Sequence, residues 1–68
     1  MTLDRALLHA HARDDKAALV ALYTKAADVA GDVDAACFYL THAYVFALDI
    51  NHAAQTRLHQ RLRDHGRV

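Results

Sequence analysis

The 68-residue chain has no proline, no tryptophan, no serine and no glutamate, and it holds only two glycines and one cysteine. Without proline, nothing imposes a sharp break on a helical run. Without serine, the commonest hydroxyl nucleophile is missing, and two isolated glycines cannot make a phosphate-cradling loop. A lone cysteine closes no internal disulfide and rules out a metal site built on cysteine pairs. The missing glutamate is read as coding bias. No apolar run approaches the length needed to cross a bilayer, and no secretory signal pattern opens the chain, so a cytoplasmic location is the default expectation.

Formal net charge is zero with histidine neutral, which gives no global pull toward nucleic acid or membrane. The distribution is uneven: residues 1–50 carry seven aspartates against four basic residues, and residues 51–68 carry four arginines against Asp64. Hydrophobic residues make up 54% of the chain, but fifteen of them are alanine. Alanine favours helix and close helix approach, yet buries little area per residue. One small domain with a thin core follows, for which self-association, as in a homodimer, is a natural supplement.

The segment from Gly31 to Leu48 organises the rest. It contains both phenylalanines, two of the three tyrosines and the only cysteine. Gly31 suits the left-handed position ending a preceding helix, and Asp32 can cap the next, with Asp34 in its first turn. The apolar run that follows is too long for an ordinary strand. At 100° per residue, Ala36, Leu40, Ala43 and Ala47 form a small-residue stripe flanked by Tyr39, Phe46 and Ile50, with Tyr44, Cys37 and Leu48 on the other side. The polar arc holds Asp34, Thr41, His42 and Asp49. Phe38 and Val45 fall in the middle of that arc.

Before this helix, Thr2 caps a short one over 3–13 on which Leu3, Leu7, Ala10 and His11 share a face. Arg13–Lys16 carries no apolar residue, and Asp14 or Asp15 caps a second helix over 15–30; one continuous helix from 3 to 30 is the alternative. Leu19, Leu22, Tyr23, Ala26 and Ala30 line one face of the second helix, with Val29 at its edge. The third helix spans 32–49. Asn51 caps a fourth over 52–65 with the stripe Ala54, Leu58, Leu62 and His65, after which residues 66–68 fray. The expectation is an all-α domain of four helices in two antiparallel hairpins.

Gly31-Asp32-Val33-Asp34-Ala35-Ala36, followed by Leu40 and Ala43, resembles the turn and second helix of a tetratricopeptide repeat. Tyr23-Thr24-Lys25-Ala26-Ala27-Asp28, leading into the same turn, is similar to the related Sel1-type repeat. The resemblance covers residues 20–48. Val20, Tyr23, Thr24 and Ala27 stand where tetratricopeptide repeats usually carry Trp, Leu, Gly and Tyr, Leu48 replaces the closing proline, and no second copy follows. The resemblance implies helical-hairpin architecture and protein binding; no peptide-binding residue is carried over from it.

Six histidines invite a metal reading, but none are four residues apart on a helix. His9 and His11 point to different sides, and His52 and His59 lie two turns apart. A pair assembled across helices, such as His11 with His42, is the form such a site would take. Cys37 and His42 stand about 140° apart around one helix, so they form no local nucleophile–base pair. Neither an enzymatic site nor a cofactor is expected. Arg57, Arg61, Arg63 and Arg67 make the last helix locally basic without aromatic residues to stack bases, so nucleic acid is not the expected partner. Phe38 and Val45 are either covered by the first or fourth helix or form an apolar patch rimmed by Thr41, His42 and Asp49. In the second case, the chain is a non-enzymatic module that binds a protein partner or itself through this helix face. Histidine-based metal or small-ligand binding and nucleic-acid association are the two alternatives.

Overall fold

Four helices account for most of the chain: α1 (Leu3–Ala12), α2 (Lys16–Val29), α3 (Val33–Asp49) and α4 (Gln55–Asp64). The computed structural model describes residues 2–68, and the described residues are all-α, without a strand. Each of the first three helices opens on an expected cap. The Thr2 hydroxyl accepts from the Arg5 N–H at 3.2 Å, the Asp15 carboxylate from Ala18 at 3.1 Å, and the Asp32 carboxylate from Ala35 at 2.8 Å. Each thereby satisfies an amide that the first turn leaves free. α1 and α2 are separate helices.

The helix ends differ from expectation in an instructive way. Gly31 is not left-handed; the positive φ values belong to Asp14 (52°), Asn51 (52°) and Gly66 (70°). At each of these three the chain closes with the same pair of bonds. Behind α1, Asp15 N–H donates to Ala10 O and Asp14 N–H to His11 O; behind α3, His52 donates to Ala47 O and Asn51 to Leu48 O. Behind α4, Arg67 donates to Leu62 O and Gly66 to Arg63 O. This is the Schellman arrangement, which satisfies the last carbonyls of a helix and turns the chain back. Asn51 therefore ends α3 instead of starting α4, which begins only at Gln55, three residues later than expected. The amide of Ala54, just ahead of α4, donates to His52 Nδ1 at 3.0 Å. The tail expected to fray is folded back by the Gly66 turn.

The helices pack in chain order, α1 on α2, α2 on α3 and α3 on α4. Leu40, Ala43 and Ala47 of α3 are fully buried among Val20 and Ala27 of α2 and Leu58 and Leu62 of α4. The small-residue stripe of α3 is thus the seam of the molecule. α2 is buried on two flanks: Val20 and Ala27 belong to this core, while Leu19 and Ala26 are buried outside it, as is Ala10 of α1. The single face expected for α2 omitted Val20 and Ala27, and Val29 at its edge is in fact exposed. His65, placed in line with Leu58 and Leu62, is also exposed.

Three ion pairs knit the helix ends. Lys16 at the start of α2 meets Asp49 at the end of α3 (2.5 Å), Asp28 at the end of α2 meets Arg61 of α4 (2.8 Å), and Arg67 beyond α4 meets Asp34 at the start of α3 (2.6 Å). α3 therefore runs antiparallel to both α2 and α4. The result is a slab of 32 × 28 × 12 Å.

The two glycines should respond oppositely to alanine. Gly31 has no positive φ, and a Cβ there would meet nothing within 4 Å. Gly31→Ala should raise stability by about 0.5 kcal/mol by restricting the unfolded chain. Gly66→Ala places a side chain in the left-handed region and should cost about 1 kcal/mol. Urea unfolding of the two variants beside the parent checks both signs.

Candidate functional site

α3 has neighbours on two sides, α2 and α4, and a slab this thin leaves its remaining arc uncovered. Phe38 (59% exposed), Val45 (56%) and Leu48 (49%) stand on that arc with exposed Thr41 between them. Their spacing of three and four residues makes one continuous stripe. Asp34 and Asp49 mark its two ends. Of the five residues the sequence singled out, Phe38, Thr41, Val45 and Asp49 are exposed on this face, and His42 lies half-buried at its edge. Neither α1 nor α4 covers Phe38 or Val45.

The polar residues of the stripe are less polar than their types suggest. Thr41 Oγ1 donates to Cys37 O at 2.8 Å, and His42 Nδ1 lies 2.9 Å from Phe38 O. A carbonyl only accepts, so Nδ1 carries the proton in that contact. With the hydroxyl proton of Thr41 and one ring nitrogen of His42 turned to the helix backbone, the stripe presents mainly carbon. Burying it strands little hydrogen-bonding capacity.

Behind the stripe, the rings of Tyr39, His42 and Phe46 surround Tyr23 of α2 at centroid distances of 6.2, 5.1 and 6.0 Å, each close to parallel. His11 of α1 approaches Tyr23 edge-on at 5.8 Å and places Nε2 2.9 Å from the Tyr23 hydroxyl. Phe38 leans on His42 at 4.5 Å and on Tyr39 at 5.6 Å. The exposed Phe38 ring is thus held in place by a cluster reaching through α2 to α1. His11 and His42 both flank Tyr23, but among the described residues no three His, Cys, Asp or Glu side chains converge as metal ligands.

A depression of about 500 Å³ lies at the N-terminal end of the stripe, bounded by Asp34, Cys37, Phe38, Thr41, His42 and Arg67. The buried Cys37 thiol forms part of its wall. A smaller hollow of about 270 Å³ lies among Thr41, His42, Val45 and Phe46. At both ends of the stripe a cation is fixed beside a carboxylate. Hydrogen bonding to Asp49 holds the Lys16 ammonium above its ordinary value of 10.5, reinforced by the charges of Asp49 and Asp14. A raised folded-state value means that the stabilising contribution is complete below pH 10.5 and is lost only as stronger alkali removes the proton. Hydrogen bonding to Asp34 likewise raises Arg67, so both cations stay protonated throughout the neutral range.

Sequence reasoning missed three members of this site. Leu48 follows Thr41 and Val45 at helical spacing, which is a usable signal, but its place beside Tyr44 and Cys37 on the wheel points to the flank of the apolar surface. Lys16 and Arg67 reach the face from other elements, and nothing in the local pattern announces them. The basic character of the last helix is partly spent, since Arg61 and Arg67 are paired with Asp28 and Asp34. No helix of the described residues is long and apolar enough to cross a membrane. No protein-family model, no curated protein and no solved structure matches this chain.

Tyr23 should dominate the rigidity behind the stripe. Tyr23→Phe removes only the solvent-exposed bond to His11 and should cost under about 1 kcal/mol. Tyr23→Ala removes the ring at the centre of the cluster and should cost about 3 kcal/mol, releasing α1 first. Thermal unfolding gives the magnitudes, and amide hydrogen exchange shows whether α1 loses protection ahead of α3.

Proposed function

We propose that this chain is a small non-enzymatic interaction module that binds a protein surface through the outer face of α3. The observation carrying the reading is the stripe of Phe38, Val45 and Leu48, about half exposed on a helix whose other residues are largely packed. Contiguous apolar surface with a polar rim is the usual mark of a contact site. Phe38 is the anchor, since its ring is already immobilised against His42 and Tyr39 and loses little freedom on binding. The resemblance of residues 20–48 to a tetratricopeptide-type hairpin supports the same role.

The energetics set what the partner must do. Burying a Val, Leu or Phe side chain fully is worth about 1.5–3 kcal/mol, so three half-exposed ones offer roughly 4 kcal/mol in total. That is at the low end of the cost of association. The stripe therefore cannot act alone, and a partner must also engage its charged ends at Asp34–Arg67 and Lys16–Asp49.

Affinity capture with the immobilised chain, comparing wild type with Phe38→Asp and Leu8→Asp, tests this reading. Leu8 is equally apolar and 71% exposed, but it lies on α1. Proteins held by the α3 face should be retained by wild type and by Leu8→Asp. They should be weakened about 30-fold or more by Phe38→Asp, the loss expected of an anchor worth at least 2 kcal/mol. Equal retention by all three chains overturns the reading, as does unfolding of Phe38→Asp seen by circular dichroism, which would make Phe38 part of the core.

A further inference from the structure

α2 and α4 both pack on α3, and a hollow of about 270 Å³ lies between them. Val20, Thr24, Lys25 and Asp28 of α2, His52 of the turn after α3 and Arg57 of α4 all bound it. The chain has eight basic residues besides histidine. Among the described residues, Arg13, Lys16, Arg61 and Arg67 are each paired with an aspartate, whereas Arg5, Lys25, Arg57 and Arg63 are in no ion pair. Two of those four, contributed by different helices, line this one hollow. Asp28, the carboxylate on its wall, is held by Arg61 at 2.8 Å, so its charge is matched and those of Lys25 and Arg57 are not. From this arrangement we infer that the hollow binds a phosphate-sized dianion, either free phosphate or the terminal group of a phosphate monoester.

The donors suit that ligand. Arg57 offers a planar fork of N–H groups and Lys25 a compact ammonium, both of which make charge-assisted bonds to phosphate oxygens. His52 adds a neutral donor. The Ala54 N–H donates to its Nδ1 at 3.0 Å, and an amide only donates, so in the neutral ring Nε2 carries the proton. Thr24 adds none, since its hydroxyl donates to Val20 O at 2.7 Å. Arg57 and Arg61 stand one turn apart on α4, a like-charge spacing that destabilises a helix, and an anion beside Arg57 relieves it. Two unmatched positive charges balance a dianion, whereas chloride would leave one of them over. The volume falls below the roughly 300–1,000 Å³ typical of pockets for drug-sized ligands, so the hollow takes the anionic group itself, and the rest of a monoester extends into solvent. None of these residues belongs to the α3 stripe, and the two sites stand or fall separately.

Amide NMR of the isotopically labelled chain tests the inference. Sodium phosphate is titrated in at about pH 8, two units above the second ionisation of a phosphate monoester at about 6, with ionic strength held constant by sodium chloride. The amides of Lys25, Asp28 and Arg57 should shift and reach saturation within tens of millimolar. Lys25→Gln and Arg57→Gln should each weaken the binding about fivefold, the worth of one unit charge near contact distance in water. Arg5→Gln removes an unpaired cation of α1 and should leave the binding unchanged. A second titration with phenyl phosphate separates the sources: binding at least as tight as that of phosphate assigns a monoester, and weaker binding assigns the free ion.

Shifts that never saturate, or that sodium chloride alone reproduces, overturn the inference. So does saturation centred on residues away from the hollow, or binding that both glutamine variants retain in full. Lys25 and Arg57 are exposed, so both variants should keep their helical circular dichroism. Should one lose it, the other decides, and the location of the wild-type shifts decides without either.

Discussion

Close approach of α2 and α3 through alanine is the constraint on which the rest depends. Ala27 on one helix and Ala43 and Ala47 on the other are buried in the shared core, and Leu40, Leu58 and Val20 fill what space remains. A seam of methyl groups brings helix axes together but leaves little volume between them to fill. The helices pack as one row in chain order, so the shape is only 12 Å thick in its smallest dimension, about one helix diameter. In such a slab a central helix can be flanked on two sides and no more. The exposure of Phe38, Val45 and Leu48 follows from that single row, in which Ala43 and Ala47 take the buried side of the same helix.

That link explains which parts of the fold were legible. The small-residue stripe, the three capping residues and the number of helices come from short-range pattern, and local pattern decides them because amides and apolar faces must be satisfied close to home. The two-sided burial of α2 was not legible. Val20 and Ala27, two turns apart, share a flank by spacing alone, but that it is buried as well as the Leu19–Ala26 flank follows only from the two neighbours, α1 and α3, that press on the same helix. An alanine-rich helix has little contrast between its faces, so its wheel cannot report a second contact. The same weakness left the exposure of Phe38 and Val45 open, because only the positions of α1 and α4 decide it.

Turn chemistry supplied the other differences. Glycine adopts the left-handed conformation without strain, which favours Gly31 for it, yet the left-handed positions fall to Asp14 and Asn51 as well as Gly66. Asp and Asn tolerate this region through local polar contacts, and they are also good caps for a following helix. One residue type serves both ends of a helix, so Asn51 could be assigned to the start of α4 when it closes α3. His52 and Ala54 show the result, with a side-chain nitrogen standing in for the missing cap. At Asp14 and Asp15 the ambiguity resolves within two residues, the first ending α1 and the second capping α2.

The site itself shows how far residue type misleads about surface character. By composition Thr41 and His42 are polar rim. Their bonds to Cys37 O and Phe38 O turn the polar atoms back into the helix, so a stripe that reads as alternating polar and apolar is nearly continuous carbon in three dimensions. This matters more than the number of apolar residues. A contact that buried free hydroxyl and imidazole groups would lose in desolvation what it gained from Phe38 and Val45. With the Thr41 hydroxyl proton and His42 Nδ1 already satisfied, that loss is confined to His42 Nε2 and the lone pairs of the hydroxyl, and most of the apolar gain is kept. The polarity that defines the site lies at Asp34–Arg67 and Lys16–Asp49, contributed in part by α2 and by the chain beyond α4, where no pattern within α3 could reveal it.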